Sequence, residues 1–530
     1  MWYLPLTRRG IVFAMLAASA FAAPAMADPR VLVIANDIGD TISLDPGRMA
    51  TYTPALALHT AYDTLVTMEP GDYVTIKPLL AESFVRTPDQ KGWRFKLRPG
   101  LKFASGNPIT ADDVVFSLNR MLNLKDQPSG YFRTVSRVEK VDDMTVDIFT
   151  IDPDDPLLTV LCAPAGSILD SRVVKANGGT DAADAKETDK ATQWLNTKSA
   201  GSGAYQIVSW ERNGSIVLQR NPHYWGGTPG YERVVIRHMA ESGAQLLAIR
   251  RGDADVAFNL TPEQIKSLEG EKGISIARTA SQDWTYIALT NNPEAAPAFT
   301  KREARLAVAY AIDYDGMRDS LVGGAATRPA SYISVGIGGS TEQLTKEIGY
   351  RQDLEKSKEL LAAAGYPDGF SFPLYYQAGS FGGVPYQLMA QKIQADIARV
   401  GIKAELKPMD PVTLRTLFVN GKTAAAFGYW NPPAPEPLLN AEAVFKRGAT
   451  RVKWDIKPEI ADLAIRASRS QDREQQEALY RRFTEEVQKE GHFIVLFQPF
   501  YQVAIRDSVE GIQLTGAGWF AELARAIPVK

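Results

Sequence analysis

The side chains best suited to nucleophilic or acid–base chemistry are few and scattered. Cys162 is the single cysteine, and it lies in the apolar run from Leu157 to Ala163. A lone thiol makes no internal disulfide, and its neighbours fit a buried small hydrophobe better than a nucleophile. The nucleophile reading needs a base, and the four histidines (His59, His223, His238 and His492) are spread through the sequence. The chain has no H-E-x-x-H, no paired cysteines and no histidine cluster, so no transition-metal site is expected. It also lacks a G-x-S-x-G elbow and a P-loop. Three acidic pairs, Asp112-Asp113, Asp142-Asp143 and Asp154-Asp155, are adjacent in sequence. Their side chains need not converge, and they read as helix-start or loop carboxylates. Gly201 and Gly203 could line a phosphate, but the turn leads into a strand instead of a helix N-terminus. No catalytic residue, metal or cofactor is expected. A hydrolase with widely separated catalytic residues is the remaining enzyme reading.

Bulk properties narrow the class further. The chain has 530 residues, 45% of them hydrophobic and 23% charged, which is ordinary for a globular protein of two or three domains. Its 59 basic and 61 acidic residues leave a net charge of −2, so neither nucleic acid nor an anionic membrane surface is favoured. At the N-terminus, Arg8-Arg9 precedes an apolar run from Ile11 to Phe21 and an Ala25-Met26-Ala27 site. This pattern predicts a signal peptide over residues 1–27, cleaved before Asp28. Thr7-Arg8-Arg9 leaves Sec and twin-arginine export both open. The apolar run is too short for a stable anchor, and no cysteine follows the cleavage site to take a lipid. The mature chain is expected in the periplasm, with no membrane span.

The elements that position side chains are clearest between Leu79 and Arg120. Trp93, Phe95 and Leu97 alternate with Arg94, Lys96 and Arg98, the period of a half-buried strand. Pro99-Gly100 and Gly106-Asn107-Pro108 turn the chain. Thr110 then reads as an N-cap, followed by Asp112 and Asp113 in the first turn and a stripe of Val114, Val115, Leu118, Met121 and Leu122. Further strands are predicted at Val31–Ala35, Tyr205–Trp210, Ile216–Arg220, Val234–Met239 and Ile494–Gln498, and an extended connection over Trp284–Thr290. Helices are predicted over Ala55–Leu65, Lys301–Met317, from Asp353 to Gly365, Pro385–Val400 and Asp472–Lys489. Asn177–Asp189 reads as an exposed excursion.

The string "LLAESF…WRFKLRPGLKFASGNPITADDVVFSLNR" closely resembles the signature of bacterial extracellular solute-binding proteins of family 5, the oligopeptide and dipeptide type that serves ABC importers. "GSGAYQIVSWERNGSIVLQRNPHYWGG" is similar to that family's "GTGPY…LxRNPxYW" pattern, with Ser202 for Thr and Ala204 for Pro. "REARLAVAYAIDYDGM", "LLAAAGYPDGF" and "ADIARVGIKAEL" follow in the family's order. The resemblance implies an α/β, two-lobed periplasmic-binding-protein fold, large and type II-like, with an extra α/β subdomain. Lobe I would comprise 28–57, 190–285 and 495–530, the extra subdomain 58–189, and lobe II 286–494. Two strands, near Trp284–Thr290 and Ile494–Gln498, would cross between the lobes.

In peptide-binding relatives an acidic side chain shortly after a pocket tryptophan holds the ligand's amino group. Here "FGYWNPPAPEPLLN" has Trp430 followed by Asn431, Pro432 and Pro433, with Glu436 the nearest carboxylate. Dipeptide binders often carry an arginine just ahead of the helix that starts near Pro385. "YYQAGSFGGVPY" has Ser380, Phe381 and glycines there instead. Both charge clamps are missing or moved. That leaves longer or modified peptides, opine-like conjugates, sugars or other polar solutes as ligands. The resemblance makes Tyr429, Trp430, Asn431, Ser380, Phe381 and Tyr52 the candidate ligand contacts, with packing of the lobe interface as the alternative role for Trp430. The implied protein is a monomeric periplasmic receptor, not an enzyme, that delivers a peptide or polar organic solute to an inner-membrane ABC permease.

Overall fold

Alternation of apolar and polar residues builds most of the strands, and their register decides which distant side chains meet. The computed structural model of the chain describes residues 31–49, 51, 53–153, 155–381, 383–432 and 434–529. The expected signal peptide and the candidate Tyr52 lie outside them. Strand β1 (Val31–Asn36) comes first. A separate four-stranded antiparallel sheet follows, made of β2 (Ala81–Arg86), β3 (Gly92–Leu97), β4 (Val135–Asp142) and β5 (Thr145–Thr150) in the order β2-β3-β5-β4. Phe95 and Leu97 are buried and Lys96 is exposed, as the period of two requires.

The main sheet has twelve strands. Its members after β1 are β6 (Tyr205–Glu211), β7 (Ser215–Arg220), β8 (Arg233–His238), β9 (Val256–Ala257), β10 (Ile274–Ala280), β11 (Trp284–Leu289), β12 (Ala326–Thr327), β13 (Ser371–Gln377), β14 (Lys403–Met409), β15 (Ala425–Trp430) and β16 (Phe493–Arg506). The order is β14-β13-β15-β11-β16-β9-β1-β8-β7-β6, with β10 and β12 also paired to β16. Strand β16 holds it together. Thr285 lies opposite Phe497 and Ala288 opposite Phe493, while Ala280 lies opposite Phe500 and Ile274 opposite Arg506. Two consecutive strands, β10 and β11, therefore run antiparallel along one strand of fourteen residues. The expectation of a strand over Ile494–Gln498 is too short. Gln498 and Pro499 interrupt the apolar run, yet the pairing continues because Pro499 still accepts from Ser281 N at 3.1 Å.

Helix α1 (Ala55–Ala61) stops four positions before the expected Leu65, with Tyr62 already extended. Its last carbonyls meet the Gly201–Gly203 backbone. A Cβ on Gly201 would lie 2.1 Å from Ala61 O, and one on Gly203 would lie 2.5 Å from Thr60 O. These glycines permit close backbone packing. The helix expected over Lys301–Met317 is two helices below, because Asp313 breaks it.

Helix α2 (Ala111–Leu124) begins where expected, with the Thr110 hydroxyl and backbone N both donating to the Asp113 carboxylate at 2.9 Å. Val114, Leu118 and Met121 are buried and Val115 and Leu122 are half-buried. Its Arg120 is 2% exposed and forks onto two carboxylates: Asp45 at 2.7 and 2.9 Å, and Asp189 at 2.8 and 2.9 Å. The Asn177–Asp189 excursion is mostly exposed, but its last residue is buried and fixed by this fork. Helices α3 (Arg302–Ala311) and α4 (Tyr314–Leu321) are separated at Ile312 and Asp313. The Asp313 carboxylate accepts from Gly316 N at 2.9 Å, which caps the second helix instead of continuing the first. Helices α5 (Leu354–Ala363), α6 (Tyr386–Ala398) and α7 (Arg473–Glu490) agree with the sequence reading, with Asp353 and Asp472 as side-chain caps of α5 and α7.

Arg120→Met leaves the Asp45 and Asp189 carboxylates buried without their cation. We expect it to destabilise the protein by about 3–5 kcal/mol in urea unfolding; a loss below about 1 kcal/mol would contradict the role given to this fork.

Candidate functional site

Asp154 lies outside the described residues, and the described residues weighed for catalysis hold separate structural contacts. Cys162 is buried in the hydrophobic core and its thiol donates to Leu158 O at 3.4 Å; burial pushes the thiol up, as for an unreactive structural cysteine. His59 lies 2.8 Å from Glu522, and His492 is bonded to Leu289 O, where burial pushes its imidazole down to about 3. Asp112 and Asp143 both pair with Lys140, at 2.9 and 2.7 Å. Asp113 turns inward to Ser171. Among the described residues no group of His, Cys, Asp or Glu is arranged to hold a metal ion.

The joint between β10 and β11 gathers the ligand candidates. Strand β15 pairs antiparallel with β11, setting Trp430 opposite Trp284 and Tyr429 opposite Thr285. One step further, Asn431 Nδ2 donates to Asp283 Oδ1 at 2.6 Å. The Tyr501 hydroxyl, from β16, donates to Asp283 Oδ2 at 2.6 Å. Asp283 is 5% exposed. Burial pushes its carboxyl up to about 7, and the hydrogen bonds from Tyr501 and Asn431 oppose that rise. Sequence reasoning missed both Asp283 and Tyr501. The available hint was a lone acidic residue between two apolar extended runs, in "ASQDWTYIALT".

Successive residues of a strand project to opposite faces, and this separates the two aromatic candidates. Tyr429 is 42% exposed, and its ring stacks on Phe381 at 4.8 Å and 25°. Trp430 is half-buried. Its indole N–H donates to the buried Asn440 at 2.7 Å, and the Arg447 guanidinium lies 5.2 Å over its ring. Ser380 and Phe381 form a short hairpin with Val384 and Pro385 ahead of α6. Its tip needs glycine: Gly383 has φ +78°, and a Cβ there would lie 2.8 Å from Leu260 O, so the hairpin touches a segment of the other end of the sheet. Ser380 is exposed beside these rings. Glu436, the nearest carboxylate downstream of Trp430, is buried and accepts from Leu438 N at 3.1 Å, which makes it the cap of the helix Pro437–Phe445. Burial pushes its carboxyl up to about 7. A surface groove of about 360 Å³ lined by Arg302, Tyr310, Tyr350 and Lys489 lies apart from all of these residues.

The arrangement holds a carboxylate between neutral donors, beside exposed aromatic faces, on strands drawn from distant parts of the chain. It can bind a solute by stacking and hydrogen bonding, and it contains no nucleophile–base pair.

Known proteins resemble the chain along most of its length. Residues 75–450 match the family model described as bacterial extracellular solute-binding proteins, family 5 Middle. A probable D,D-dipeptide-binding periplasmic protein of Escherichia coli K12, DdpA, is 27% identical over 511 residues, covering 95% of each chain. The solved structure of the periplasmic binding protein DppA from Helicobacter pylori, in complex with the peptide STSA, superposes with a TM-score of 0.77 at 24% identity, covering 94% of this chain and 98% of that one. AgaA of A. tumefaciens R10, in complex with agropinic acid, superposes at 0.75 and 21%, covering 94% and 99%. The fold is the two-lobed α/β fold that these structures share.

The folded state holds the Asp283 proton more tightly than an unfolded chain with its value of 3.8, so the contribution of Asp283 to the stability of unliganded protein declines as pH rises from about 4 to about 7. Asp283→Asn is expected to flatten that decline, by an amount on the order of a few kcal/mol, in denaturant unfolding followed at pH 4.5 and 8. An unchanged slope would mean that Asp283 is ionised at low pH in the folded protein.

Proposed function

The chain belongs to the bacterial extracellular solute-binding proteins of family 5, and from that membership we propose that it captures a peptide or peptide-like solute between two closing lobes in the periplasm and delivers it to the membrane permease of an ABC importer. The observation that carries this reading is the joint of β10 and β11 on β16, where Asp283, Tyr429, Asn431 and Tyr501 come together from separate segments. A site at a crossing of this kind changes shape when the two parts of the sheet move relative to each other, which suits capture and release. Binding is reversible and stoichiometric in this reading, with no turnover.

The lobes we propose are 28–57, 190–285 and 495–530 for the first and 286–494 for the second, with 58–189 as the extra subdomain. Contacts across these boundaries support closure. Arg133 pairs with Glu442 and Arg469 with Asp152, so charged partners on the extra subdomain and the second lobe face one another. Among the described residues no helix is long and apolar enough to cross a membrane. The cleavable signal peptide of the sequence reading supports periplasmic residence, and the receptor acts as a monomer.

A second reading, a receptor for a non-peptide solute such as an opine-like conjugate, sugar or other polar organic molecule, is favoured by one feature. Asn431 stands where the loop after Trp430 would supply a carboxylate, and the segment Ala378–Pro385 has no arginine. Mass spectrometry of small molecules released by denaturing protein purified from its own periplasm separates the two. A set of peptides supports the first reading, one defined non-peptide solute supports the second, and no solute at all counts against both.

Tyr429 provides the binding-site variant. Because its ring is partly exposed and its one ring stack is with Phe381, Tyr429→Ala is expected to lower the unfolding midpoint only slightly while weakening the released solute's affinity by roughly tenfold in calorimetric titration. Unchanged affinity would remove Tyr429 from the site.

A further inference from the structure

We propose that the extra subdomain carries an electrostatic latch for the second lobe: Arg133 on Glu442 and Asp152 on Arg469 favour the closed receptor independently of the solute, and so set how firmly a captured solute is retained. This inference rests on the receptor reading and the lobes given above. Both pairs cross from residues 58–189 to residues 286–494, the first over 309 residues of sequence. They border a cleft of about 120 Å³ whose apolar lining also comes from both sides, Val160 from one and Leu438 and Ile465 from the other. Each side contributes one cation and one anion. The charges therefore match in one register, and a shifted approach would set like charges together.

Ion pairs to the first lobe are of another kind. Arg120 with Asp45, His59 with Glu522 and Arg48 with Asp126 tie the extra subdomain to that lobe, and the Arg120 side chain is 2% exposed. Breaking a buried pair is costly, so these two parts move as one body. The Arg133 and Arg469 side chains, by contrast, are each 40% exposed. An exposed pair contributes little and its cation regains water on separation, which suits a contact made and broken in every cycle. Glu442 is the most buried of the four partners, and Lys446, one turn along, also pairs with it. When Arg133 withdraws, that lysine keeps the carboxylate paired, so opening strands no buried charge.

One helix connects the latch to the solute site. Glu442 lies on the helix Pro437–Phe445, and Glu436, which caps its start, also accepts from the Thr159 hydroxyl of the extra subdomain. Asn440 of the same helix accepts from the Trp430 indole N–H at 2.7 Å, between the candidate contacts Tyr429 and Asn431. A helix docked on the extra subdomain therefore also positions the end of β15. Because a receptor binds in proportion to the fraction of it that is closed, residues that touch no solute set the affinity.

The test uses the mature full-length chain, stripped of bound solute by unfolding and refolding. Nitroxide labels are placed on Lys186→Cys in the extra subdomain and Glu359→Cys in the second lobe, both exposed positions, and their separation is read by pulsed electron resonance. The stripped parent is expected to show a closed population, and Arg133→Glu or Arg469→Glu to lower its ratio to the open one roughly threefold. Raising NaCl from about 0.02 to about 0.5 M is expected to lower the ratio in the parent and to have less effect in the double variant Arg133→Ala, Arg469→Ala. Exchanging the charges, Arg469→Glu with Asp152→Arg, is expected to recover it. Arg133→Gln and Arg469→Gln carry the test if a reversed charge prevents folding. No closed population in the stripped parent, a ratio that neither substitution moves, or an exchange that fails to recover it overturns the latch. Solute released on denaturing the unstripped preparation then leaves the receptor reading standing, whereas no solute and one fixed label distance in every protein removes both.

Discussion

The joint between β10 and β11 depends on one buried side chain. Gln498 is fully buried; its amide donates to Ser281 O at 2.5 Å and to Val335 O at 3.3 Å, while its carbonyl accepts from Val335 N at 2.8 Å. Here the neighbouring run leaves β10 at Ala280 and resumes as β11 at Trp284. Backbone groups of the three intervening residues would lack sheet partners, and each such buried group costs about 1–3 kcal/mol. Gln498, Pro499 and Gly516 supply those partners through Ser281 and Gln282. The break is therefore held in place without being closed into a continuous ladder, and strand β16 stays intact across it.

That break brings Asp283, Asn431 and Tyr501 together. The Asp283 carboxylate accepts from Asn431, one residue past β15, and from Tyr501 of β16. Two deeply buried charges elsewhere in the fold, Arg120 and His59, face carboxylates. The fork of Arg120 joins the short helical turn capped by Asp45 to the excursion ending at Asp189, and its rigid, planar guanidinium suits two carboxylates at once. Asp283 has hydrogen bonds but no cation.

Local order was legible in the sequence wherever one segment decides its own structure. The alternation at Trp93–Leu97, the Thr110–Asp113 start of α2 and the Asp353 and Asp472 caps involve neighbours only, and family-5 membership followed from blocks of this kind. Elements whose limits are set by distant partners were not readable. α1 ends where the glycine backbone of residues 201–203 packs against it, β16 continues through Gln498 and Pro499 because β10 lies alongside, and Asp313 turns the chain because its carboxylate prefers the cap of α4. The site shows the same limit more sharply. Tyr429, Trp430 and Asn431 came from a resemblance, but Asp283 meets Asn431 across 148 residues and Tyr501 across 218. No spacing rule reports a contact made by sheet register at such separations.

A crystal structure of the protein with the solute recovered from its own periplasm tests the account most directly. The account predicts the solute at the β10–β11 joint, with Tyr429 and Phe381 against it and Tyr501 still bonded to Asp283. A solute bound away from the β10–β11 joint, with Asp283 contacting only Tyr501 and Asn431, would contradict it.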